Sequence, residues 1–512
     1  MSLILLLSLG LAAQDPLAVL TVDSASPYSN YGESVAIDGS WAMVGAPDDY
    51  LTANYMGSVY VFEKTAQGWI ERQKLTASNP QGFDTFGHTI EIHGEVAAIG
   101  APGPLGIGPG SVYVFRYDGQ SWQEEAVLSQ TTGWGDDWFG YSLDMDADRI
   151  LVGSMWSRQP GLNFGGPNHA GAAWVFHWNG NQWVFEQELG ASDMAGGDLF
   201  GSGVALNGDT LMVGAREEGD ESGTNPIYGM GAVYVFERVG GTWVEQQKLR
   251  ASDFSDFAWF GFDVAAQGDW MVVGSPGKTG GGWHGAGVSY LFRKTAGQWN
   301  EYLKIESAMD GTTGNFGRSV DMDGNLVVVA ADGKDYLGNS YGAVFPFRWN
   351  GSGWDEEPAI APLGLGPWDL FARNLDLDGQ DLIAGAYLEN LPPPLSPGAG
   401  FLYDVSPQFH LMLNPLPLDV QEDAKFILRH GIPQAPAWLA YSLQGLGTTP
   451  VPPLGVSLDL ANAQALDVMK ITDAQGGAHW DLVVPANAVG ASVWFQGLQN
   501  GQVSNPIYSE IR

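Results

Sequence analysis

The chain has 512 residues, enough for more than one domain, and its 45% hydrophobic against 16% charged side chains exclude a disordered polymer. Asp and Glu (58) outnumber Lys and Arg (22), and the formal charge of −36 makes nucleic acid and anionic membrane poor partners while favouring solubility. Cysteine is absent, which excludes disulfides, thiolate zinc sites and a cysteine nucleophile.

The first stretch, MSLILLLSLGLAAQ, has an apolar run from Leu3 to Leu11 followed by small residues. It reads as the core of a secretory signal peptide over residues 1–13, without the usual basic start. The other reading is a buried first strand. The run is too short to span a bilayer, and no later run is long and apolar enough for a membrane helix. A secreted or cell-envelope protein, acting as a monomer, is expected.

From Tyr31 onward the chain repeats itself. Aromatic-Gly pairs begin at Tyr31, Phe86, Phe139, Phe200, Phe260 and Phe316, and a degenerate Phe371-Ala372 follows, at spacings of 53 to 61 residues. Each pair opens a unit with an alternating run ending near VGA, then a G-x-V-Y-V-F run, then a Gly-x-Trp run. Such periodicity belongs to a fold that cannot close in one unit. In the fourth unit Ser202 to Leu206 is strand one, Asn207-Gly208-Asp209 a hairpin turn, and Leu211 to Ala215 strand two. Gly231 to Arg238 is strand three, Gly240-Gly241 turns, and Trp243 to Leu249 is strand four. Seven units of four antiparallel strands predict an all-β chain, a seven-bladed β-propeller over residues 14–405.

The seventh unit lacks its fourth strand. Leu17 to Ser24 (LAVLTVDS) resembles the ends of other fourth strands, Gln73 to Ser78 and Gln247 to Ser252, and is expected to pair with Gly398 to Val405 and close the ring. A six-bladed ring with stray ends is the alternative. After Pro407 the repeat stops. Short strand-like runs from Phe409 to Ile511, split by turns such as Pro450 to Gly455, predict a small β-sandwich over residues 406–512.

The units YGESVAIDGSWAMVGAP, FGSGVALNGDTLMVGA and GAVYVFER resemble FG-GAP repeats, which build the seven-bladed propeller of integrin α-subunits and of many bacterial secreted proteins. The resemblance covers about Leu17 to Val405. It implies a propeller, with adhesion or ligand binding rather than catalysis. It also implies a calcium loop of the form D-x-D-x-D-G-x-x-D between strands one and two, and here the chain departs from it. That connection is a tight hairpin (Asp38-Gly39-Ser40, Asp323-Gly324-Asn325), too short to wrap a cation that needs six or more oxygens. Asp146 and Asp378 are then turn residues. No cofactor is expected.

One strand-one position holds Ala36, Ala205 and Ala265 in three units, and Glu91, Asp144, Asp321 and Asp376 in the others. Strand one is innermost in a propeller, so these four carboxylates are candidates for a metal site in the central channel. Hydration, or bonding to neighbouring backbone, is the alternative.

Propeller geometry puts the short hairpins on one face and the long connections between strands two and three, and between units, on the other. Long loops on a rigid scaffold are where function concentrates. There the sequence places Trp134, Trp138, Trp156, Trp259, Trp283 and Trp368 as candidate ligand-binding residues, with acids such as Asp136 and Asp256 among them. Flat aromatics suit protein interfaces and sugar rings alike, though each can also pack beneath its own loop. Trp69, Trp122, Trp183, Trp243, Trp299 and Trp354 recur once per unit and are scaffold. The 8 His residues form no metal spacing, and no nucleophile elbow or P-loop occurs. No catalytic residue is assigned. The expected function is non-catalytic binding or adhesion to an extracellular protein or glycan. The alternatives are a polysaccharide-acting enzyme at the channel mouth and a structural envelope component.

Overall fold

The computed structural model describes residues 16–22, 24–26, 29–49, 56–80, 84–103, 108–130, 137–157, 169–219, 228–278, 285–306, 314–333, 342–362, 370–387 and 398–407, then 410–414, 423–429, 434–442, 446–451, 456–460, 464–465, 469–472, 477–483, 492–499, 502–504 and 507–510. The proposed signal segment lies outside these residues. Every described element is a strand. The chain divides into two compact units, one of Pro16–Phe347 with Gly364–Asp404, the other of Met1–Asp15, Arg348–Leu363 and Val405–Arg512.

Seven four-stranded antiparallel sheets follow one another as the blades of a propeller. Blade one is Val35–Asp38, Trp41–Ala46, Ser58–Thr65 and Gly68–Leu75, ordered from the inside outward. The innermost strands of blades two to seven are Thr89–His93, Ser142–Met145, Phe200–Asn207, Val264–Gln267, Val320–Asp323 and Leu375–Asp378. Within each blade the second strand is the most deeply buried; Trp41–Ala46, Val96–Ala101 and Thr210–Ala215 are buried at every position. An apolar run with no polar alternation is what a strand covered on both faces requires. The fourth strands alternate instead, as in Trp122–Leu128, because one face meets water.

The ring closes as expected. Ala18–Leu20 is the outermost strand of blade seven, with Ala18 opposite Leu402, Val19 opposite Phe401 and Leu20 opposite Gly400. The N-terminal strand thereby covers an edge that would otherwise be exposed.

Each element of the repeat has a physical task. The aromatic of the opening pair inserts edge-on against the third strand: Phe86 on Tyr113, Phe139 on Trp174, Phe200 on Tyr234, Phe260 on Tyr290, Phe316 on Phe345 and Phe371 on Phe401, with ring centroids 5.3 to 5.6 Å apart. Full burial of such a ring stabilises by about 1.5–3 kcal/mol. The glycine after it holds a φ of 84 to 92° in the first six blades, where a Cβ is strained. The glycine in VGA serves a different purpose. A Cβ on Gly45, Gly100, Gly153, Gly214 or Gly274 would stand 2.0 to 2.4 Å from the carbonyl oxygen of the next blade's opening glycine. The pair of glycines is therefore one contact between blades. The Gly-x-Trp residues are scaffold: Gln73 brackets the backbone of Trp122, accepting from its N–H and donating to its carbonyl at 2.8 Å each, and Gln187 and Gln247 hold Trp243 and Trp299 alike.

The second unit contains a three-stranded sheet (His410–Asn414, Asp423–Arg429, Ala478–Val483), a six-stranded sheet centred on Pro436–Ser442 and Ser492–Gln499, and a hairpin of Leu446–Val451 with Val456–Leu460. Leu428, Leu439 and Trp480 are buried in it. Pro450, expected in a turn, is instead in a strand opposite Ser457. That strand lies in a two-stranded sheet, and a missing donor is tolerated on its free edge.

Candidate binding face and channel mouth

The innermost strands line a central channel of about 620 Å³. The four carboxylates read from the repeat all line it, joined by Asp263 one turn of the pattern earlier. The four aspartates among them are stapled to backbone. Asp144 accepts from Met145 N at 2.7 Å and from Leu206 N of blade four at 2.5 Å. Asp263 accepts from Val264 N at 3.0 Å and Val320 N of blade six at 2.9 Å. Asp321 accepts from Met322 N at 2.7 Å and Leu377 N of blade seven at 2.8 Å, and Asp376 from Leu377 N at 2.8 Å and Ile37 N of blade one at 2.6 Å. Each of these four aspartates thus caps the inward edge of its own strand and that of the next blade.

Burial pushes these acids up. Glu91 is raised well above the usual range by burial and then by Asp144, Asp376 and Asp321. Asp321 is raised well above it by burial and by Asp376. Asp144 is pushed up to about 7 and Asp263 to about 6, burial outweighing their backbone hydrogen bonds. Among the described residues, no group of three or more His, Asp or Glu side chains is arranged to hold a metal ion.

A second ring of staples joins the hairpin tips. Asp38 accepts from Gly94 N, Asp323 from Gly379 N and Asp378 from Gly39 N, each at 2.7 Å, while Asn207 exchanges two hydrogen bonds with Gly268. Asp146 instead closes its own turn, accepting from Asp148 N and Arg149 N. These positions resemble fragments of a cation loop in sequence, and here they hold turns and neighbouring blades together.

At the long-loop end the channel mouth is formed by the residues that follow the aromatic-Gly pairs. Glu33, His88, Tyr141, Phe262, Arg318 and Arg373 occupy that position in six blades, and Ser202 in the fourth. Beside the small Ser202, Arg216 fills the gap. Its backbone N–H donates to Ser202 Oγ, and its guanidinium donates to Tyr141 Oη at 3.3 Å and lies 4.9 Å from the Phe262 ring. Arg318 lies 4.8 Å from the same ring. Burial would raise the Tyr141 phenol, but Arg216, Arg318 and Arg373 outweigh it and hold it below its usual value. Burial lowers His88, with Glu33 3.8 Å away opposing the shift.

Of the six candidate tryptophans, Trp134, Trp283 and Trp368 lie outside the described residues. Trp138 and Trp156 come together: their rings stack 4.8 Å apart at 9°, with Tyr141 stacked against Trp138 and His169 tilted at 47° against Trp156. Both are half-buried. Trp259 is only 6% exposed. Trp138 and Trp259 share the position just before the opening pair, where the backbone is left-handed in all seven blades (Asn30, Thr85, Trp138, Leu199, Trp259, Asn315, Leu370). The repeat, not a ligand, accounts for that conformation.

The exposed aromatics on this face are others. Tyr228, Phe254 and Phe257 are 48%, 49% and 44% exposed. They cluster where the long loop of blade four meets the link to blade five: Phe257 N donates to Tyr228 O at 2.7 Å, and Tyr228 N donates to Asp256 Oδ1 at 3.1 Å. Phe257 has a φ of 52°, and Gly197 at the same position of blade four is also left-handed, with a φ of 98°. Tyr228 is not among the candidates read from the sequence. Its signal was weak, a lone Tyr at the end of a variable loop.

The model of the FG-GAP repeat matches residues 17–62, 69–115, 122–176, 183–236 and 243–292. The chain belongs to the FG-GAP repeat proteins. The matched segments begin in the fourth strand of one blade and end in the third of the next, which is the overlap that ring closure by Ala18–Leu20 requires. No curated protein matches the chain. Among solved structures, this FG-GAP chain is similar to the crystal structure of Sqt1 from Chaetomium thermophilum, at 11% identity and TM-score 0.42, covering 78% of this chain and 95% of that one. It is also similar to the acylaminoacyl peptidase of Pyrococcus horikoshii, at 10% identity and TM-score 0.39, covering 83% of this chain and 60% of that one.

Proposed function

We propose that this FG-GAP propeller is an exported, non-catalytic binding protein that engages an extracellular protein or glycan through its long-loop face. The observation that carries this reading is the cluster of Tyr228, Phe254 and Phe257, exposed where the long loop of blade four meets the link to blade five. An aromatic ring left in water gains nothing from the fold. That loss is recovered when a partner covers the rings. The fold supports a binding role, and residues 406–512 would act as spacer or attachment module. No described helix is long and apolar enough to cross a membrane.

The test is a glycan and extracellular-protein array probed with the purified chain. Binding is expected, lost in the Tyr228→Ala/Phe257→Ala double variant and retained in Gln120→Ala on the short-hairpin face. Equal binding by all three proteins would refute the assignment of the face. Turnover of an arrayed polysaccharide would favour the enzymatic alternative.

A further inference from the structure

We infer that the mouth of the channel binds a carboxylate group, carried by a uronic-acid sugar or a small organic acid, between Arg216, Arg318 and Arg373. The inference rests on the long-loop face being the binding face and goes beyond it in naming a ligand chemistry and a second, separate site.

Three guanidiniums converge there in a chain with only 22 basic residues. Arg216 and Arg318 lie over one ring, Phe262, at 4.9 and 4.8 Å. Arg373 is close enough to Arg318 that their like charges repel, and with burial this lowers the Arg318 guanidinium. Such an arrangement repels a cation and gains from an anion. Asp332 anchors Arg318 and Arg373 from behind. Its side chain is 4% exposed, with Oδ2 3.6 Å from Arg318 Nε and 3.7 Å from Arg373 Nη1, beyond hydrogen-bond length. The two arginines are 11% and 28% exposed, so they reach the opening while their counter-ion does not.

The planar fork of arginine matches a carboxylate bidentately, and a ring already holding two guanidiniums in place spares the ligand the entropy of ordering them. The field from below is weakened. Burial raises Glu91 and Asp321 well above the usual carboxylate range, which disfavours their charged forms, and Asp263 and Asp376 direct both oxygens to backbone N–H groups. Glu33, in the blade next to Arg373, acts on the Arg373 guanidinium and also faces His88. The channel's 620 Å³ admits one sugar ring or a small acid.

Calorimetric titration of the full chain with D-galacturonate, an oligogalacturonate, succinate and D-galactose tests this. Binding of galacturonate but not galactose is expected, weakened at least tenfold in both Arg318→Gln and Arg216→Gln, with melting temperatures recorded for each variant. Tighter binding of the oligomer than of succinate assigns the carboxylate to a glycan, and the reverse order assigns it to a small acid. Equal affinity of wild type and two folded variants overturns the inference, as does a lack of binding by all three acids. If array binding disappears in the Tyr228→Ala/Phe257→Ala variant while the acids fail to bind, the face stands and the anion site falls.

Discussion

Asp376 in blade seven accepts the backbone N–H of Ile37 in blade one at 2.6 Å, so two residues 339 positions apart join the last blade to the first. Its other oxygen accepts from Leu377 N, which is also bonded to Asp321. Removing Asp376 therefore leaves Ile37 N without this acceptor, whereas removing Asp321 leaves Leu377 N with Asp376. Asp376→Ala is expected to cost about 1–3 kcal/mol and Asp321→Ala less. Urea unfolding of the two variants measures the difference; equal losses would contradict it.

Blade seven opens with Phe371-Ala372 where the others have glycine, and Ala372 sits at a φ of 63°. The residue of blade six that corresponds to the VGA glycine is Ala330, so both halves of this inter-blade contact changed together. An alanine in the left-handed region costs about 1–2 kcal/mol. Ala372→Gly removes that strain but gives the unfolded chain more freedom, and is expected to stabilise by roughly 0.5–1 kcal/mol. Gly87→Ala, with φ at 92° and Ser58 O 2.8 Å from the new Cβ, is expected to destabilise by more than that. Thermal melting of both variants checks the opposite signs.

Several buried acids hold their protons more tightly in the fold than in the unfolded chain. Asp144 is raised to about 7, and Asp48, Asp198 and Asp263 to about 6, in each case chiefly by burial. Their contribution is full below the ordinary carboxylate range, near pH ~4, and declines as pH rises through the folded values. Asp253, lowered to about 2 because its bonds to Tyr290 and Lys304 outweigh burial, acts in the opposite sense and loses its contribution as pH falls toward that value. The melting temperature is expected to fall between pH 5 and pH 8, and to fall less in Asp144→Asn. A curve for Asp144→Asn parallel to that of wild type would refute the role of this group.

Deleting residues 16–22 removes the strand Ala18–Leu20 and exposes the third strand of blade seven, Gly398–Asp404. The shortened chain is expected to melt at a lower temperature and to associate through the open edge, with size-exclusion chromatography reporting the association. An unchanged melting temperature would refute closure by this strand.

Channel carboxylates that direct their oxygens to backbone have little left for a cation. Melting temperatures in calcium and in chelator are expected to agree within error. A rise in calcium lost in Asp144→Asn would instead place an ion in the channel.

How much of this was legible depends on which contacts are local in the repeat. The positions of Phe86 and its counterparts, the Asn207 hairpin and the buried second strands recur with one period, and each reflects packing or backbone geometry within a unit. The missing fourth strand of blade seven and its replacement near Leu17 could be read because an unpaired edge is costly wherever it lies. The site was legible only in outline. Trp138 and Trp156 were named from their place on the long connections, but their 4.8 Å stack, which uses one face of each ring, depends on how two loops meet.

The sequence by itself determined the number of blades, the strands within them and the ring closure, because hydrophobic period and glycine position restrict the backbone before any distant contact forms. Only the tertiary structure decided what the channel and the loop face present. Asp144 and Asp376 became staples because the next blade brings an edge N–H within reach. Tyr228 and Phe257 became a surface, and Arg216 a member of the rim, because the distances between blades set which side chains meet water and which meet each other.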